Sequence, residues 1–192
     1  MRLVPTLLTA LLAAGPAAAA GGSVSKLAIR SVAPSGSGAT LTVTSPAFEE
    51  GGAIPERFAG YRDGPSPPLA WSGAPRQTGA FALIVEDPDA PGATPFVHWI
   101  AYGIPASVAA LPEGVPGSPE PVAMRQGRNS FGSVGWRGMQ PPAGQTHHYH
   151  FELMALDGQV PLDPGADREA LLKALRGHVL AAGELAGTFR RR

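Results

Sequence analysis

No cysteine occurs among the 192 residues, which excludes disulfides, thiolate metal sites and cysteine nucleophiles together. Excess charge is missing too: Lys+Arg and Asp+Glu stand at 15 each, and charged residues make up only 16% of the chain. No net field steers a polyanion, so general nucleic-acid binding is disfavoured, although Arg190, Arg191 and Arg192 are consecutive. The sequence contains no P-loop, no dinucleotide-binding glycine fingerprint and no HExxH pair. Ser133, in Gly132-Ser133-Val134-Gly135, lacks the flanking residues of a G-x-S-x-G elbow. What the chain has in plenty is glycine (25) and proline (21), about a quarter of its length, spread without a period between strong apolar runs. That composition predicts one soluble globular domain with many turns between short strands.

Residues 1–20 read as a signal peptide: Arg2 gives a small positive region, residues 3–12 an apolar stretch, and residues 17–20 small side chains for cleavage. The stretch is too short and alanine-rich to span the bilayer, so the mature form is expected to begin near Gly21, to have no transmembrane span and to be periplasmic or secreted. Residues 21–38 are Ser, Gly and Ala with scattered apolar positions and read as a linker with at most a short strand at residues 26–32; the domain proper is residues 39–192. Within it, period-2 or continuous apolar runs predict strands at residues 40–44, 81–85, 96–104 and 149–156, each ended by Pro, Asp-Pro or Asp-Gly. Turns separate them, so the sheet is expected to be mainly antiparallel. Asp167 is placed to cap a helix in which Leu171, Leu172, Leu175, Val179 and Leu180 share a face, with Gly177 as a break point. Residues 111–121 form the longest expected loop.

Three clusters carry possible chemistry. Period 2 puts Asp87 on the face of Phe81, Leu83 and Val85, where an unpaired carboxylate costs several kcal/mol and needs a donor, a cation or a pocket. Its plainer reading is that Asp87 and Asp89 only hold the turn around Pro88. His98 shares a face with Ile100 and Tyr102 by strict alternation. It is either a satisfied core histidine or a partner of Asp87 on an adjacent strand. In His147-His148-Tyr149-His150, alternation sends His147 and Tyr149 inward and His148 and His150 to the face of Glu152. A zinc site built on His98, His147 and a carboxylate would have three ligands and an open position, but no local ligand spacing supports it. Two imidazoles, a carboxylate and a tyrosine beside glycine-rich walls suit a small anion.

These residues carry a resemblance. Asp87-Pro88-Asp89-Ala90-Pro91, then His98-Trp99, Gly138 followed by Pro141-Pro142, and His147 with Tyr149 resemble the phosphatidylethanolamine-binding protein (PEBP) family in its bacterial Raf-kinase-inhibitor-like branch. Ser66-Pro67-Pro68-Leu69 with Trp71, Ile104-Pro105-Ala106, Gly177-His178-Val179-Leu180 and Glu184-Leu185 extend it over residues 41–189. The resemblance implies a mainly β fold: a central antiparallel sheet backed by a second small sheet, with peripheral C-terminal helices. It implies a pocket for phosphate or a phospholipid head group built from Asp87, Pro91, His98, Gly138, Pro142, His147 and Tyr149, with no enzyme activity and no cofactor. Departures from the pattern are His148 in place of arginine, Met139-Gln140 in place of smaller residues, Gly103 in place of asparagine and Trp136 in place of tyrosine. The alternative role is a protein-interaction module that inhibits a kinase or hydrolase through the same pocket, with a protein partner or a homodimer left open. A hydrolase using His and Asp stands third.

Overall fold

The computed structural model describes residues 24–32, 39–117 and 123–192; the expected signal peptide lies outside them. Its elements in chain order are α1 (Ala28–Ser31), β1 (Ala39–Thr40), β2 (Thr42–Thr44), β3 (Leu69–Ser72), β4 (Ala80–Asp87), β5 (Phe96–Pro105), β6 (Ala110–Leu111), β7 (Arg125–Gln126), β8 (Thr146–Leu156), α2 (Arg168–Leu175) and β9 (Val179–Arg190). Six strands form a large sheet in the order β1-β9-β8-β4-β5-β7, and β2-β3-β6 form a small one. Every pairing is antiparallel except β1 with β9.

Alternation along β4 and β8 builds two cores, one on each face of the large sheet. Phe81, Leu83, Val85, Tyr149, Phe151 and Leu153 pack toward the small sheet, against Val43, Leu69, Trp71 and Leu111. Ala82, Ile84, Ile100, Tyr102, Met154 and Leu156 face the other way, against Leu171, Leu172 and Leu175 of α2. Each buried leucine of α2 contributes about 1.5–3 kcal/mol by leaving water. The Asp167 side chain caps this helix by accepting from the Ala170 N–H at 2.9 Å.

Two expectations fail here. The C-terminal helix stops at Leu175, Gly177 takes φ +81°, and Val179 and Leu180 begin the longest strand of the protein. Residues 26–32, expected as linker with at most a short strand, are packed: a short 3-10 turn (Val24–Lys26) and α1 place Leu27, Ala28 and Val32 among the buried residues. The backbone N–H groups of Ala28 and Ile29 donate to Glu86 and Glu152, two buried carboxylates of β4 and β8. The first N–H groups of a short helical turn have no intrahelical partner, and here the sheet supplies the acceptors.

Strict alternation also fails twice in β5. Val85 lies opposite Trp99 but Glu86 opposite Val97, so His98 is the extra residue of a β-bulge. A second skip makes Gly103 an extra residue, with φ +67°. That left-handed backbone suits glycine and asparagine and few other residues, which accounts for the substitution noted at this position.

Candidate functional site

Because β4 runs antiparallel to both β5 and β8, the last residue of β4 meets the first residues of its two neighbours at one end of the large sheet. Asp87, His98 and His147 come together there, on the side of the small sheet. The bulge is what brings His98 in. Strict alternation would leave it with Ile100 and Tyr102 on the opposite face, whereas its ring lies 5.1 Å from that of Tyr149, centroid to centroid and edge-on.

Each group is fixed by identifiable bonds. Asp87 Oδ1 accepts from the Asp89 and Ala90 N–H groups at 2.9 and 3.1 Å, while Oδ2 lies 2.7 Å from His147 Nδ1. The carboxylate therefore holds the turn and orients an imidazole at once. His98 is paired with residue 137 twice: the Arg137 N–H donates to the His98 carbonyl at 2.9 Å, and His98 Nδ1 lies 2.8 Å from the Arg137 carbonyl. Val97, before the bulge, donates its N–H to Ser130 Oγ. A carbonyl and a carboxylate only accept, so Nδ1 of each ring carries a proton and Nε2 is the nitrogen left for other partners. His147 Nε2 stands 3.4 Å from Gln145 Oε1. Burial holds His98 below the ordinary imidazole value, against the raising effect of the Arg137 and Gly138 backbone and the Asp87 charge.

The rings open into a cavity of about 410 Å³ lined by Asp87, Pro91, Phe96, His98, Phe131 and Gln140, with Pro141, Pro142, His147 and Arg191. Of the expected residues, Asp87, Pro91, His98, Pro142 and His147 line it. Tyr149 lies fully buried beside His98, and burial and the Asp87 charge push its phenol well above the ordinary value, so it is un-ionised. Its hydroxyl makes no hydrogen bond among the described residues. Gly138 does not line the cavity. A Cβ there would lie 2.3 Å from the Phe58 carbonyl oxygen, so its role is to let the segment around Phe58 pack against the pocket wall.

Sequence reasoning missed Phe96, Phe131 and Arg191, whereas Gln140 was expected, with Met139, to narrow the pocket mouth. Phe131 is positioned by Asn129, whose Oδ1 accepts from the Phe131 and Ser133 N–H groups and whose Nδ2 donates to the Gly135 carbonyl. Only its being an aromatic residue on a glycine-flanked loop hinted at this. His148, which stands where the resemblance expects arginine, contacts Asp89 Oδ2 through its backbone N–H at 2.8 Å and through Nδ1 at 2.6 Å. Met139 is fully buried in the core and does not line the pocket mouth, whereas Gln140 does. Among the described residues no group of three His, Cys, Asp or Glu side chains is arranged to hold a metal ion.

The two-sheet fold has known counterparts. The profile of the family described as "Phosphatidylethanolamine-binding protein" matches residues 44–190. A UPF0098 protein of Methanothermobacter thermautotrophicus is 41% identical over 152 residues, covering 79% of this chain and 99% of its own. One from Pyrococcus abyssi is 42% identical, covering 82% and 89%. Among solved structures, YbcL of E. coli, described as a member of the mammalian PEBP family, superposes with a TM-score of 0.74 at 33% identity, covering 80% of this chain and all of its own. A phosphatidylethanolamine-binding protein homologue of Chlamydia trachomatis gives 0.73 at 36% identity, with 80% and 99% covered. The chain belongs to the phosphatidylethanolamine-binding protein family.

Proposed function

We propose that this protein binds a small phosphate-type anion, free or as a phospholipid head group, without transforming it. The observation that carries the reading is the pair of imidazoles, each anchored at Nδ1, in a cavity whose other walls are largely apolar. With Nδ1 committed, an uncharged ring offers only a lone pair at Nε2. At each imidazole, beside the Arg191 charge in the same cavity, an anion is therefore held in one of two ways: the ring takes a second proton and donates, or the ligand brings its own O–H and donates to the ring. The first route takes up a proton, and the second does so for a ligand whose phosphate has lost its last O–H, such as a phosphomonoester dianion. Affinity should rise as pH falls, and the His98 contribution should enter below the ordinary imidazole range because burial lowers its pKa. Binding without chemistry is supported by Ser133, whose hydroxyl is engaged by Asn129 and not by an imidazole.

Calorimetric titration of phosphate and phosphoethanolamine at pH 6 and pH 8 tests this. His147→Ala removes a charge-assisted bond of roughly 1.5–3 kcal/mol, so affinity should fall about ten-fold or more. His148→Ala, which contacts Asp89 outside the cavity, should change it far less. Equal affinity in all three proteins at both pH values would remove the pocket as the binding site.

A second reading has one observation in its favour. Phe131, 42% exposed, lines the pocket, and Val134, 47% exposed, lies three residues further along the same loop, where a partner protein could dock as the pocket takes an acidic group. Two side chains make a small patch beside the several hundred Å² expected of an interaction surface, so the small-anion reading leads.

A further inference from the structure

Beside the imidazole pocket lies a second cavity, of about 740 Å³, to which residues 190–192 contribute three arginines. In the β8–β9 register Arg190 lies opposite Thr146, and the next pair is His147 with Phe189, so the arginines begin one residue pair from the imidazole. Arg191 lines both cavities. Its guanidinium lies 5.1 Å from the Tyr61 ring centroid, and its carbonyl accepts from the Gly144 N–H at 2.9 Å, on the turn that supplies Pro142 to the pocket. Among the described residues no carboxylate side chain lies within 4.0 Å of any of the three guanidinium groups. The one carboxylate lining this cavity, Glu56, is taken by Arg62 at 3.0 Å and by the Tyr61 hydroxyl at 3.1 Å. The whole chain is balanced at 15 basic and 15 acidic residues, these three included, so three cations without carboxylate partners in one cleft are a local concentration of charge.

We propose that the arginine cleft is a second anion subsite continuous with the imidazole pocket, so that the ligand carries two anionic phosphate-type groups. One sits at His98 and His147 and the other on Arg190, Arg191 and Arg192. The proposal rests on the anion-binding reading of the imidazole pocket and narrows its ligand class. Joining two weak sites through one molecule makes the second contact intramolecular and raises affinity well beyond either alone. Arginine suits the outer site because its fork of donors matches a phosphate and its charge persists at any working pH.

The test is titration with alkane-α,ω-diol bisphosphates of two to six carbons against the monophosphates of the same chain length, at constant ionic strength. At least one bisphosphate should bind about ten-fold or more tightly than its monophosphate. In Arg190→Gln/Arg192→Gln that advantage should vanish, while the part of monophosphate binding that depends on His147 and the melting temperature stay unchanged, since neither arginine lines the imidazole pocket. If no bisphosphate gains more than the statistical factor of two, or if the gain survives in the variant, the second subsite falls. Monophosphate binding that depends on His147 with no bisphosphate gain overturns the subsite alone. Monophosphate binding indifferent to His147→Ala overturns the pocket reading and the bridging ligand with it.

Discussion

Asp87 shows how one side chain can settle two readings. As a turn residue it needs only Oδ1, and as an imidazole partner only Oδ2, and it uses both. Its inward direction was legible from alternation because β4 is regular up to Val85. His98 was not legible in the same way, because a bulge inverts parity without leaving a mark in hydropathy. On the opposite face another carboxylate pair is held under the N-terminal segment. Glu152 is pushed well above its ordinary value by burial first and then by the Glu86 charge, against the Ile29 N–H bond that lowers it. Around the pair stand Arg168 on Glu86, and His150 and Arg30 on Glu184. A raised folded-state pKa means that the stabilising contribution of Glu152 is fully present below its ordinary value of 4.5 and is lost as pH rises through the folded value. Glu152→Gln, which keeps the neutral form at every pH, should therefore gain stability relative to the native chain between pH 5 and pH 8, read as urea midpoints. An equal deficit at both pH values would contradict this.

Among the elements, β4, β5 and β8 were readable from apolar runs and their Pro and Gly stops, whereas β9 was not. Its inward residues are Val179, Ala181, Gly183, Leu185, Gly187 and Phe189, an alternation made largely of Ala and Gly that carries little hydrophobic signal. Val179 and Leu180 also complete the helical spacing begun by Leu171. The small residues have a reason. A Cβ at Gly183 would lie 2.2 Å from the Leu41 carbonyl oxygen and one at Gly187 2.7 Å from Ile54, so the covering segments approach this strand closely. Residues 26–32 were missed because their ordering comes from two carboxylates distant in sequence. The bulges of β5 yield a test at this scale. Gly103→Asn should cost under about 1 kcal/mol, since asparagine tolerates the left-handed region and Gln159, the nearest obstruction, is a movable side chain. Gly103→Val should cost about 1–3 kcal/mol more. Equal urea midpoints for the two variants would mean that the bulge adopts another backbone.

For the molecule as a whole, two packed sheets and a flanking helix gather the strand ends of β4, β5 and β8 at one end of the large sheet, where the loops can shape a pocket without disturbing either core. No helix among the described residues is long and apolar enough to cross a membrane. We propose that the chain is exported and cleaved near Gly21, which would leave the segment that packs on Glu86 and Glu152 intact. Expression with the native leader and N-terminal sequencing of the periplasmic or secreted fraction should find a start near Gly21, and a start at Met1 or Arg2 in that fraction would refute it.

The central claim, that the Nε2 atoms of His98 and His147 receive a phosphate-type anion together with a proton, is tested most directly by 15N NMR of the imidazole nitrogens during a phosphate titration at pH 6. Nε2 of both rings should shift with saturation, toward the protonated or hydrogen-bonded value, while each Nδ1 keeps the signature of a bonded N–H and His148 stays unchanged. Saturable phosphate binding that leaves both Nε2 resonances unmoved would contradict it.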